Sequence, residues 1–153
     1  DSVTGLTHLE GQTVNILADG AVHPQRTVSS GAVSLDSPSV VVQVGLPITA
    51  DIETLPITIQ MEAFGQGRYK NINQVALRVF KSSGIFVGPN VDNLTEFKQR
   101  TTEPYGSPPA LKTQELRMPI SPSWNDSGQI FVRQKDPLPI TIVAVTSEVT
   151  VGG

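Results

Sequence analysis

Arg68-Tyr69-Lys70-Asn71-Ile72-Asn73-Gln74-Val75-Ala76-Leu77-Arg78-Val79-Phe80-Lys81-Ser82-Ser83 is the longest run of the chain without glycine or proline. Its reading separates an all-β protein from a mixed one. Two periods compete in it. Val75, Leu77 and Val79 recur at every second residue, with Gln74, Ala76 and Arg78 opposite, which is the alternation of a strand. Ile72, Val75 and Val79 instead form a helical stripe. Branching at Cβ restricts χ1 and favours extended backbone, so the strand is expected.

The rest of the chain leans the same way. Val, Ile and Thr supply 43 of 153 residues, whereas Ala and Leu supply 19. Glycine and proline add 25 more, so turns are closely spaced. The expected fold is all-β: a small β-barrel or meander over residues 1–46, a connector over 47–56, and a β-sandwich over 57–153. Thr13 to Leu17 places Val14 and Ile16 on one face, and Asp19-Gly20 is a strong hairpin signal. Val22, then a second strand near Arg26–Val28, lead to a turn at Ser30-Gly31. The run Val40 to Val44 suits a strand covered on both faces. Pro47 and Pro56 disfavour regular pairing between them.

In the second unit a strand is expected from Ile57 to Met61, followed by a turn or bulge at Gly65-Gln66-Gly67. Ser82-Ser83-Gly84 reads as a hairpin turn into Ile85-Phe86-Val87. Asn93 and Glu96 have capping-box spacing, enough for one or two helical turns before Arg100. Residues 103–109 are loop, and Leu116 and Met118 alternate in a short strand broken by Pro119. The last strands are Gln129 to Gln134 and Ile140 to Val149, where Thr141 to Val145 suits a buried central strand.

Composition excludes several functions. Eleven basic and fourteen acidic residues give a net charge of −3, which offers no long-range attraction to phosphate or anionic lipid. With no cysteine there is no disulfide framework, thiolate zinc site or thiol nucleophile. No apolar run approaches the roughly 20 residues of a membrane helix. The chain opens at Asp1 without methionine, so it is expected to be a piece of a longer protein.

Candidate chemistry is sparse. His8 and Glu10, and His23 with Asp19, lack metal-binding spacing and read as polar residues near turns. Glu62, Glu96, Glu115 and Glu148 are isolated along the chain, and paired-carboxylate catalysis would need two of them across one cleft. No catalytic, cofactor or metal residues are therefore expected. Arg68, Tyr69, Lys70, Arg78 and Lys81 form the one basic region. Arg78 and Lys81 are also what a strand edge carries to prevent pairing. Trp124, the single tryptophan, reads as a core residue; exposed beside Tyr69 or Tyr105 it would instead stack on a sugar. Trp124, Arg68 and Tyr69 are the residues retained as candidate ligand or partner contacts.

The segments 8–20 (His-Leu-Glu-Gly-Gln-Thr-Val-Asn-Ile-Leu-Ala-Asp-Gly) and Val22-His23-Pro24 resemble an opening found in tail structural proteins of tailed bacteriophages and prophages. Val44-Gly45-Leu46-Pro47, Gly67-Arg68, Lys98-Gln99-Arg100-Thr101, the run Val132 to Pro139, and Glu148-Val149 extend the resemblance over nearly the whole chain. It implies the carboxy-terminal portion of a tail protein similar to the tail-tube nozzle of short-tailed phages. Such proteins form rings, typically of six copies, that continue the DNA channel. The implied partners are other copies and other tail proteins, with passive DNA contact and no membrane insertion. The implied location is the virion, after synthesis in the host bacterial cytoplasm. A receptor- or carbohydrate-binding module at the tail tip is the alternative. The recurring strings are turn and strand-end residues, and no catalytic motif comes with them.

Overall fold

The structure is a computed structural model that describes residues 1–58, 67–100, 102–104 and 107–152. The protein is all-β, and among the described residues the one helical element is a 3₁₀ turn at Thr7–Leu9. The chain divides into two compact units. One comprises residues 1–49, 99–110 and 135–138; the other comprises 50–98, 111–134 and 139–153.

The first unit holds β1 (Ser2–Thr4), β2 (Thr13–Ala18), β3 (Ala21–Thr27), β4 (Ala32–Ser34) and β5 (Val42–Gly45). They make two open antiparallel sheets, β1-β4 and β3-β2-β5, which do not close into a barrel. The β2–β3 hairpin turns on Asp19 and Gly20 at φ +49° and +81°, the left-handed pair of a two-residue turn. The Asp19 carboxylate also accepts the Val40 and Val41 backbone N–H groups. A second turn at Ser30-Gly31 donates both its N–H groups to Glu10. Leu6, Val14, Ile16, Val28, Val33 and Leu35 form the core. Arg26 falls within β3 rather than starting a new strand. Val40 is 94% exposed and Val41 is also exposed, so the run from Val40 is not covered on both faces. Only its second half pairs, as an edge beside β2.

The second unit holds β6 (Ala50–Glu53), β7 (Lys70–Ser82), β8 (Phe86–Gly88), β9 (Thr95–Glu96), β10 (Lys112–Pro119), β11 (Phe131–Gln134) and β12 (Ile142–Val151). One sheet has the order β10-β7-β12 and the other β6-β11-β8-β9. Ile72, Val75, Leu77 and Val79 of β7 and Leu116 and Met118 of β10 share one core with Val87 of β8 and Val132 of β11. That is a sandwich: two sheets burying their apolar faces together.

The competition between periods in residues 68–83 has a structural cause. Glu148 pairs with Gln74 but Val149 pairs with Ile72, so Asn73 is an extra residue on β7. Such a bulge resets the alternation. Ile72 and Val75, three apart, thereby point into the same core and imitate a helical stripe.

Other expectations are corrected. Asn93 starts no helix: the Asn90 side chain takes the backbone N–H groups of Asp92 and Asn93, and the Phe97 N–H goes to Ile85 O. That leaves residues 95–96 in a strand. Ser82-Ser83-Gly84 makes no hairpin, because β7 and β8 belong to different sheets. The segment between Pro47 and Pro56 contains β6, which pairs with β11 from Phe131↔Glu53 to Gln134↔Ala50. Arg133 clamps it, donating from Nε to Asp51 Oδ1 at 2.7 Å and from Nη2 to Oδ2 at 2.8 Å. Thr141 to Val145 is not central: β12 is an edge, and Val143 stands out at a bulge, 62% exposed. The strand from Ile57 and the Gly65-Gln66 turn fall mostly on 59–66, outside the described residues. Ile57 itself packs on the core.

Leu77 is fully buried at the centre of the middle strand. Leu77→Ala should cost about 2–5 kcal/mol by loss of apolar contact and residual cavity, read by urea unfolding. Hydrogen bonding from Arg133 and, secondarily, its charge hold the Asp51 carboxyl below its usual value of 3.8. A lowered folded value contributes stability above pH 3.8 and loses it as pH falls through that lower value. Asp51→Asn should flatten this acid limb in unfolding midpoints measured against pH, a small effect because the pair lies at the surface.

Candidate functional site

Two of the three candidate contact residues, Tyr69 and Trp124, share a face at one end of the β10-β7-β12 sheet, within the second unit, and Arg68 adjoins Tyr69 in the chain. Lys70 pairs antiparallel with Asn125, exchanging backbone hydrogen bonds of 2.6 and 3.0 Å. Lys70 also pairs with Val151 of β12 on its other side. The segment around Trp124 thus lies along one side of β7 and the end of β12 along the other. Strand alternation then sets Tyr69, Trp124, Asp126 and Gly152 on one face.

Trp124 is 53% exposed and Tyr69 64% exposed, and Arg68 is exposed too. The expected burial of Trp124 is therefore overturned. Beside the indole lies Gly152, whose N–H donates to Tyr69 O at 2.8 Å. A Cβ at residue 152 would lie 3.2 Å from Trp124 Cζ3 and 3.7 Å from Cε3. The indole rests by one edge on bare backbone and keeps much of its surface in solvent.

The turn that carries Trp124 is held from beneath. Lys70, only 1% exposed, donates from Nζ to Asp126 O at 2.6 Å. Its stem packs on Gly128, where a Cβ would approach Lys70 Cδ to 3.1 Å and φ is +60°. The Asn125 side chain accepts the Gly128 N–H and the Ser127 hydroxyl. Asn71 accepts the Ser123 N–H at 3.0 Å. Burying an amine is costly unless it is hydrogen-bonded, so the bond to Asp126 O ties the burial of Lys70 to the position of the turn.

Lys70 is consequently no part of a basic surface. Its signal in the sequence was its position two residues before Ile72, on the buried parity of the strand. Arg78 and Lys81 guard no edge, since β7 is central; Arg78 is exposed and Lys81 lies 5.5 Å over the Phe80 ring. Asn71, Asn125, Asp126 and Gly152 carried no recognisable pattern.

The remaining candidates are dispersed. His8 is exposed, while His23 is buried in β3, its Nε2 accepting the Asp36 N–H at 2.9 Å and its Nδ1 lying 2.8 Å from Pro24 O. Glu96, Glu115 and Glu148 sit on three different strands, with Glu115 bonded to Arg117 at 3.0 Å. Glu62 and Tyr105 lie outside the described residues. Among the described residues no group of three or more His, Asp or Glu could hold a metal ion. No helix among them is long and apolar enough to cross a membrane.

Lys70→Met should remove a buried hydrogen bond worth about 1.5–3 kcal/mol and loosen the 123–128 turn. Urea unfolding reads the first effect, and a fall in Trp124 fluorescence anisotropy reads the second. Compared with known proteins, the chain matches no family model, and no curated protein sequence matches it.

Proposed function

We propose that the chain is a non-enzymatic structural subunit of a phage tail, a nozzle- or tube-like ring component that lines or supports the DNA-ejection channel. The turn and strand-end strings resembling tail proteins support this reading. The observation that carries it is the outer edge of β12. This ten-residue strand has no proline, and its single charge is Glu148. Among the described residues its outer side carries no backbone hydrogen bond. Monomeric sheet proteins ordinarily blunt such an edge more heavily than the single bulge at Val143 and the one charge at Glu148 do here. The other edges of this unit conform: β10 carries Lys112, Glu115 and Arg117 and ends at Pro119, β6 is short with Asp51 and Glu53, and β9 has two residues.

An open edge suits strand addition by a neighbouring copy or another tail protein, where backbone pairing supplies affinity. A head-to-tail contact of this kind closes into a ring when its rotation permits. The net charge of −3 suits a channel wall along which DNA passes without sticking.

Near-atomic imaging of the intact parent particle tests the assignment. The chain is expected in an axial ring continuing the DNA channel; a position on peripheral fibres overturns it. Val143→Lys with Thr146→Lys, both exposed on β12, should weaken self-association about tenfold or more in light scattering, while leaving the unfolding midpoint nearly unchanged.

A further inference from the structure

The Trp124–Tyr69 face has a chemistry that assembly through β12 does not use. A tryptophan on a loose surface turn needs no explanation; one on a braced turn does. Here the buried Lys70 Nζ, the Asn125 and Asn71 side chains and the Gly152 backbone all fix where the indole stands. Pre-organisation of this kind lowers the entropic cost of binding.

The surroundings of the rings identify the class of ligand. Among the described residues, the Arg68 guanidinium, the Tyr69 hydroxyl and the Asp126 carboxylate are exposed and make no hydrogen bond or ion pair. The patch thus offers two aromatic surfaces with donors and an acceptor uncommitted beside them. A pyranose ring is the complement of such a surface. Its C–H face is apolar and packs flat on an aromatic ring, and its equatorial hydroxyls both donate and accept. The centre of a protein–protein interface is instead depleted of charge, whereas the Asp126 carboxylate shares this face with the rings.

We propose that Trp124 and Tyr69, with Asp126 on the same face and Arg68 next to Tyr69 in the chain, form a binding site for a hexopyranose oligosaccharide. The site lies wholly in the second unit and does not rest on the ring assignment, so either can fail without the other.

Trp124 is the only tryptophan, so its emission reports on the site directly. The whole chain is titrated with a panel of hexose and N-acetylhexosamine oligosaccharides, and binding is confirmed by calorimetry. A saturable blue shift of emission with at least one of them is expected. Tyr69→Ala and Trp124→Ala should each weaken calorimetric binding more than tenfold without shifting the unfolding midpoint, and Asp126→Asn should weaken it less. The proposal is overturned by an unchanged spectrum across the panel, or by undiminished binding in Trp124→Ala. A sugar-independent blue shift that grows with protein concentration also overturns it, because it marks the indole as a contact between copies.

Discussion

Everything in the second unit is organised by the hydrogen-bond ladders on the two sides of β7. Thirteen residues long, it pairs with β10 on one side and β12 on the other, and its inner face supplies four of the buried core residues. A strand in that position has to satisfy two requirements together. Its backbone must be free of proline on both sides, and its side chains must alternate, because one sheet face is dry and the other wet. The run 68–83 is the stretch of the chain that meets both. The bulge at Asn73 then turns the end of β7 so that Ile72 and Lys70 remain on the buried side.

How much of this was legible follows from which physics is local. The strand identity of β7 was readable from Val75, Leu77 and Val79, and the β2–β3 hairpin from Asp19-Gly20, because both depend on near neighbours. Edge or centre is a different matter. Thr141 to Val145 and Val40 to Val44 are apolar runs of the kind a central strand carries, yet both contribute to edges with exposed valines. An edge strand differs from a central one in what pairs with it, and its partners lie far away in sequence. Proline was over-read for the same reason. Pro47 and Pro56 end strands, but they leave room for β6 between them, and its decisive partner, Arg133, is 82 residues from Asp51.

The candidate site shows the same division. Arg68, Tyr69 and Trp124 were identifiable by type, as a cation and aromatics beside polar residues. The meeting of Tyr69 and Trp124 depends on Asn125 pairing with Lys70 and on Gly152 lying across β7 from that segment. Neither contact has a sequence signature. The exposed indole rests by one edge on a glycine at 152, where any side chain would press on it.

The bond from Lys70 to Asp126 also has a kinetic side. Its two ends are 56 residues apart, and the amine is satisfied there by a carbonyl of a turn that lies far along the chain. Until that turn docks, the end of β7 keeps its amine in water and cannot settle onto the core. Docking of the turn and burial of the end of β7 are therefore coupled. A contact of that sequence separation closes more slowly than a local hairpin such as β2–β3.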